Sequence, residues 1–335
     1  MSKIKVGIIG TGGISNEHIN GYLKNPDVEL YAFCDINEAQ LNKMGDKYGI
    51  PQERRFTDKA ELLKLSEIDA VSVCTCNSAH AESSIAALEA GKHVLCEKPM
   101  AMNSEQAKAM KAAADKAGKL LMIGFVRRYG NDCEILKDYI DSGFFGDISR
   151  SGGGPLIDLG VHVIDLVRYL LGNPQPVSVY GATFQKLFNR PEIKSTGGYT
   201  STGKTDSDIC DVEDLASAMI RFDNGAVLSV EASFSLNIKN DKGDIELFGT
   251  KAGAKLDPKI EIYSQLNDYL VNIDFNRDTA LSFDGLFARE INHYVDCVIN
   301  GTPCRAPAQD GVDMMRILDA VYESAKTGHE VILGQ

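Results

Sequence analysis

The chain has 335 residues, 44% of them apolar and 24% charged, a balance that fits a folded protein of about two domains and excludes wholesale disorder. Against 47 Asp and Glu it carries 35 Lys and Arg, and the net charge of −12 opposes non-specific attraction to nucleic-acid phosphates or anionic lipid. No apolar run approaches the roughly 18–20 residues of a membrane span. The N-terminal Met1-Ser2-Lys3-Ile4-Lys5-Val6-Gly7 runs straight into a strand-like segment with no secretory pattern, and the eight cysteines include no CxxC pair. A cytosolic setting without a metal centre is therefore expected, Cys74-x-Cys76 lacking a partner pair.

In chain order, short apolar runs at Ile4–Gly10, Val28–Asp35, Ala70–Thr75, His93–Lys98 and Leu120–Phe125 alternate with helical stretches such as Glu38–Tyr48, Ala79–Ala90 and Ser104–Ala117. Ser104 suits an N-cap, and Gly91 and Gly118 suit helix stops. Apolar strands alternating with helices predict a doubly wound parallel sheet, placed over residues 1–123. Residues 124–335 read differently. Helices are expected over Asn131–Ser142 and Leu156–Leu171, then strands over Val177–Leu187, Ala226–Leu236, Asp244–Phe248 and Leu270–Phe275.

In the second of these strands Leu228, Val230, Ala232, Phe234 and Leu236 share one face, Ser229, Glu231, Ser233 and Ser235 the other, after a Phe222-Asp223-Asn224-Gly225 turn. That alternation predicts an open, mostly antiparallel sheet in a C-terminal α+β domain, one face of it able to meet solvent or a partner. Terminal helices are expected over Leu286–Ile299 and Gln309–Ala325, the last able to pack back on the first domain, and the polar stretch Asn189–Asp211 reads as a lid or a mobile connection.

Three constellations carry chemistry. The first strand ends in Gly10-Thr11-Gly12-Gly13-Ile14-Ser15. So tight a turn into a helix N-terminus lets backbone approach a pyrophosphate, with Ser15 in place of the third glycine of GxGxxG. Asp35, followed by Ile36 at the end of the second strand, can accept both ribose hydroxyls of NAD and would repel the 2′-phosphate of NADP. The second constellation is Cys96-Glu97-Lys98-Pro99, where proline turns the chain at the strand end as Lys98 emerges.

The third is Gly152 through Asp165, in which Asp158, His162 and Asp165 fall along one stripe of a helix otherwise apolar almost all round. Such acids must face a polar cavity or pair with another group, and histidine suits a proton shuttle.

Gly10-Thr11-Gly12-Gly13, Asp35, Thr75-Cys76-Asn77 with His80, Glu97-Lys98-Pro99, Gly124 through Arg128, Gly152 through Asp165 and Phe248-Gly249-Thr250 together resemble the Gfo/Idh/MocA family over nearly the whole chain. The resemblance implies an NAD-dependent dehydrogenase acting on a secondary alcohol of a cyclic polyol, sugar or sugar derivative. It also implies a homodimer or homotetramer assembled through the C-terminal sheet. Carried over, Lys98, His162 and Asp158 form the catalytic group, with His162 as candidate base, Lys98 steadying the developing alkoxide and Asp158 orienting His162 or binding substrate. Thr75, Cys76, Asn77 and His80 would contact the cofactor, Glu97 would fix Lys98, and Arg128 would anchor substrate.

Relatives also include enzymes that recycle a tightly bound NAD internally and dinucleotide-dependent regulators without activity. This sequence departs from the family pattern at Cys76, where proline is usual. It departs again where only Asp147-Ile148-Ser149-Arg150-Ser151 separates Gly146 from the glycine triplet, in place of a full strand and a longer substrate-side loop.

Overall fold

The computed structural model describes residues 3–141, 148–151, 156, 160–185, 213–233, 243–256, 259–276, 278–280, 282 and 285–334. The first half alternates as read: β1 (Ile4–Ile9), α1 (Ser15–Lys24), β2 (Val28–Cys34), α2 (Glu38–Tyr48), β3 (Arg55–Phe56), α3 (Lys59–Leu63), β4 (Ala70–Val73), α4 (His80–Glu89), β5 (His93–Glu97), α5 (Ser104–Ala117) and β6 (Leu121–Gly124). The six strands are parallel in the order β3-β2-β1-β4-β5-β6. Strand order reverses between β1 and β4, and at such a point the carboxyl ends splay into a crevice. Every residue of β4 and β6 is buried, because helices cover both faces.

Helix ends follow local chemistry. Asn37 caps α2 by accepting the Gln40 N–H, and Gly49 ends it in the left-handed region at φ 70°. At α5 the cap is Asn103, which accepts the Gln106 N–H, rather than Ser104 as the sequence suggested. The Ser104 N–H instead donates to Asp319 at 2.8 Å. An amide side chain one residue earlier competed successfully for the free helix donors.

The second half comprises α6 (Asn131–Asp141), β7 (Ile148–Ser151), α7 (Val161–Leu170), β8 (Pro176–Phe184), β9 (Leu215–Phe222), β10 (Val227–Ser233), β11 (Ile245–Gly249), β12 (Gly253–Leu256), β13 (Glu261–Leu266), β14 (Tyr269–Ile273), α8 (Leu286–Asn300), α9 (Ala308–Thr327) and β15 (Val331–Ile332). Among the described residues the second sheet runs β14-β13-β12-β11-β7-β10-β9-β8-β15 and is antiparallel except where β7 meets β10. Leu228, Val230 and Ala232 are buried, as the alternation required, while Ser229 and Glu231 are exposed. Phe234, Leu236 and the stretch 189–211 lie outside the described residues.

The short segment after Gly146 does supply a strand, β7, in the middle of this sheet. Of the expected helix Leu156–Leu171, α7 supplies Val161–Leu170, and residues 157–159 lie outside the described residues. The turn between β13 and β14, with Asn267 and Asp268 at φ 48° and 66°, marks a two-residue hairpin that sequence reading passed over.

Helix α9 packs against α5 and β6. A Cβ on Gly311 would lie 2.5 Å from Met100 Sδ and 3.0 Å from Ile123 Cγ1, so a side chain there would have to displace Met100. Just before α9, the Ala306 carbonyl accepts the Ile123 N–H at 3.0 Å, extending the hydrogen bonding of β6.

Candidate active site

The crevice is built first from backbone. Gly10 leaves β1 at φ 90°, and a Cβ there would lie 2.7 Å from the Cys74 carbonyl group at the end of β4. A Cβ on Gly12, by contrast, would meet nothing within 4 Å. Gly10 is thus demanded by the protein itself, whereas the backbone at Gly12 faces open space. Gly13 is exposed beside it and Ile14 partly so. Ser15 is buried and donates from Oγ to the Gly12 carbonyl at 2.7 Å, tightening the turn into α1.

Asp35 closes the adjacent side. Its Oδ2 accepts from the Thr11 N–H at 2.7 Å and the Thr11 hydroxyl at 2.8 Å, while Oδ1 accepts from the Asn37 N–H at 2.8 Å. The carboxylate joins the tips of β1 and β2 and does not cap α2, a task Asn37 performs. Ile36 beside it is 93% exposed, an apolar surface with no protein neighbour over it.

At the end of β4, Cys76 and Asn77 are exposed and Thr75 partly so. His80 is different. It is buried, with Nδ1 2.7 Å from the Pro99 carbonyl oxygen and Nε2 3.1 Å from that of Thr75. Both ring nitrogens are engaged by backbone, so the side chain ties the loop after β4 to the loop after β5 instead of presenting itself to a cofactor.

Lys98 follows β5 directly, partly exposed, and the Lys98–Pro99 peptide is cis. Glu97 fixes it through the main chain, Oε2 accepting the Lys98 N–H at 3.1 Å. The other oxygen, Oε1, lies 2.7 Å from Nε2 of His18 on α1. His18 Nδ1 lies 3.1 Å from the Ser72 hydroxyl, itself 2.7 Å from that of Tyr22. Burial disfavours a charged imidazole, but the Cys74 sulfur and the Glu97 carboxylate more than offset it and hold His18 well above its ordinary range. Burial likewise opposes ionisation of Glu97, and His18 and Lys98 bring it below the usual carboxylate range.

Behind this pair sits Glu290 of α8, fully buried, with neither carboxyl oxygen hydrogen-bonded among the described residues. Burial, then the charge of Glu97, push it up to about 8, so at neutral pH it is largely protonated.

His162 stands at the start of α7, half-buried; Asp158 lies outside the described residues. Asp165, one turn on, is buried and paired. Its two oxygens accept from Arg128 Nε at 2.9 Å and Nη2 at 2.7 Å. Arg128 Nη1 reaches Asp310 at 2.8 Å and the Arg305 carbonyl. Arg168 continues the chain to Asp313 at 2.6 Å and the Pro174 carbonyl at 2.9 Å.

Arg128 is fully buried, which corrects its expected role as a substrate anchor: its donors are spent on holding α7 and α9 to the segment after β6. Burial pushes the Asp165 carboxyl up and Arg128 pulls it back, leaving it above its ordinary value.

The structure therefore brings the glycine turn, Asp35, the Thr75–Asn77 loop and Lys98 to one sheet edge, with α7 anchored beside it. His18, Glu290, Arg168, Asp310 and Asp313 were not singled out in the sequence. The available signal was polar residues on helix faces that otherwise read as core, such as Asp310 and Asp313 among Val312, Met314 and Met315.

The profile described as "Oxidoreductase family, NAD-binding Rossmann fold" matches residues 4–125, and "Oxidoreductase family, C-terminal alpha/beta domain" matches 146–333. The chain is 34% identical to D-glucoside 3-dehydrogenase of Escherichia coli over 99% of this chain and 98% of that protein. It is 29% identical to myo-inositol 2-dehydrogenase of Thermotoga maritima over 92% of each. Among solved structures, levoglucosan dehydrogenase in complex with NADH superposes with a TM-score of 0.85 at 23% identity, over 100% of both chains.

Proposed function

We propose, because the chain belongs to the Gfo/Idh/MocA oxidoreductase family, that it is a dehydrogenase that oxidises a secondary alcohol of a sugar, glycoside or cyclic polyol with a nicotinamide dinucleotide. The observation that carries this is the sharing of one sheet edge by a bare glycine turn and Lys98. The domain boundary falls at 123/124. NAD is the preferred dinucleotide, because the Asp35 carboxylate favours ribose hydroxyls and repels a 2′-phosphate.

The residues fit such a cofactor. Gly10, Thr11, Gly12, Gly13 and Ile14 would hold its pyrophosphate at the N-terminus of α1, Asp35 its ribose, and Ile36 would pack on its base. Thr75, Cys76 and Asn77 would line its path toward Lys98. When bound, the dinucleotide supplies the acceptor for the hydride that leaves the carbinol carbon.

The remaining work belongs to the chain. His162 takes the hydroxyl proton as the C–H bond breaks, and the Lys98 ammonium stabilises the negative charge that develops on that oxygen. Asp158 orients His162 or binds a neighbouring hydroxyl. Glu97 and His18 hold the backbone of Lys98, and the Arg128–Asp165 pair holds the helix that carries His162. His80 ties the loops after β4 and β5 together.

Assembly runs through the outer face of the second sheet, where Tyr180, Met219, Phe248 and Tyr263 are 53%, 48%, 50% and 39% exposed. We place the dimer or tetramer contact there. Incubation with NAD and a panel of glycosides, sugars and inositols tests the activity, followed by absorbance of the reduced dinucleotide. Tight dinucleotide binding with no reduction by any member of the panel would overturn the reading.

A further inference from the structure

A cluster of soft donors lies outside the site just described, where α8 ends. His293 and Cys297 are four residues apart on α8 and so share a face, and Cys304 returns to them from the loop that leads into α9. One donor atom from each of the three lies within 4.8 Å of the others. Cys297 Sγ is 3.3 Å from His293 Nε2. Zinc bonds of about 2.3 Å to sulfur and about 2.0 Å to nitrogen, set tetrahedrally, place ligand atoms about 3.5–3.8 Å apart. Cys297 and His293 already stand close to that spacing, and Cys304 lies within 4.8 Å of both.

The histidine also has the tautomer a metal requires. The Arg305 N–H, whose role as donor is fixed, points at His293 Nε2 at 3.0 Å, so this nitrogen presents a lone pair and not a proton. Cys297 is buried, but His293 and Cys304 are partly exposed, which leaves a path for an ion. Beside them Tyr129, its ring centroid 5.6 Å from that of His293, has a buried hydroxyl without a hydrogen-bond partner among the described residues.

We propose that His293, Cys297 and Cys304 bind a borderline-soft divalent cation of the zinc type, with water at the fourth corner. Two sulfurs and an imidazole select such an ion over magnesium or calcium. Binding is a ligand exchange without redox: the two thiols lose their protons to solvent, Nε2 gives up the Arg305 N–H, and the hydrated ion sheds all its waters but one. The ion would staple the end of α8 to the loop 301–307. Through the Arg305 and Ala306 carbonyls that loop holds Arg128 and β6, so the staple stiffens the seam behind the active site and takes no part in the chemistry.

The test is metal titration of the full chain after stripping with a chelator under reducing conditions. Cobalt should bind once per chain with a sulfur-to-cobalt charge-transfer band that zinc abolishes. Cys304→Ser and His293→Gln should each lose the band, and Cys34→Ser should keep it. A readout that needs no variant is alkylation followed by mass spectrometry, in which zinc should slow labelling of Cys297 and Cys304 and leave that of Cys76 unchanged. Absence of the band, its survival in Cys304→Ser, or labelling of both cysteines unaffected by zinc would overturn the proposal. So would recovery of a Cys297–Cys304 disulfide that, once reduced, takes up no metal.

Discussion

His18 Nε2 lies 2.7 Å from Glu97 Oε1, both groups buried, so the first helix of the molecule holds the residue that precedes Lys98. The pair crosses from α1 over β4 to the end of β5, and Ser72 and Tyr22 continue it. Replacing His18 with Phe leaves the Glu97 carboxylate buried without its partner. Such a loss costs about 3–5 kcal/mol of stability. Where the protein stays folded, a displaced Lys98 should lower kcat by about 10²-fold while dinucleotide affinity changes less. Urea unfolding together with steady-state kinetics and a dinucleotide titration checks this; equal loss in all three would refute a positioning role.

Glu290 gives the protein a pH dependence of defined sign. Its folded-state pKa of about 8 lies above the ordinary 4.5, so between those values the native state binds more protons than the unfolded one. Stability from this group is therefore present at low pH and falls as pH rises across that window, with a limiting slope of about 1.4 kcal/mol per unit. Glu290→Gln should flatten the fall. Urea midpoints from pH 5 to 8 measure it, and an unchanged profile in the variant would count against a protonated Glu290.

For Arg128 the two readings predict different phenotypes. A substrate anchor would raise KM when removed and leave folding intact. A buried clamp on Asp165 and Asp310 should instead cost about 3–5 kcal/mol on truncation to Met, because two acids lose their partner. Thermal unfolding decides between them, and a variant of normal stability with raised KM would restore the anchor.

At the proposed catalytic centre, Lys98→Met and His162→Asn should each lower kcat by about 10²–10⁴-fold with dinucleotide affinity retained. Whichever group moves the proton also sets the acidic limb of the pH–rate profile, which should disappear in that variant. Full activity in either variant would remove that residue from the mechanism.

Asp35→Ser should weaken NAD and improve NADP, since the variant loses an acceptor for ribose hydroxyls and the charge that repels a phosphate. The ratio of kcat/KM for the two cofactors is the measurement, and no change in it would dissociate Asp35 from the ribose.

Much of this architecture is legible in the sequence. Continuous apolar runs between helical stretches require a parallel sheet, and the alternation of Leu228, Val230 and Ala232 with Ser229 and Glu231 requires a half-covered one. Both are local periodicities, and burial confirms them. Gly10 and Lys98 stand out in the sequence because a glycine turn and a proline-terminated strand are written in adjacent residues. Strands β9, β12 and β13 were less visible, being short or diluted with small and polar residues whose partners lie elsewhere in the chain.

What the sequence determined alone was thus the type and order of elements and the residues at their tips, because φ, capping and periodicity act over a few positions. What only the tertiary structure decided was partnership. His18 meets Glu97 across 79 positions and Arg128 meets Asp310 across 182. A buried ion requires a counter-ion but does not say where in the chain it comes from. That choice rests on how α1, α7, α8 and α9 close over the sheet, and it turned an expected substrate anchor into the clamp that holds the site together.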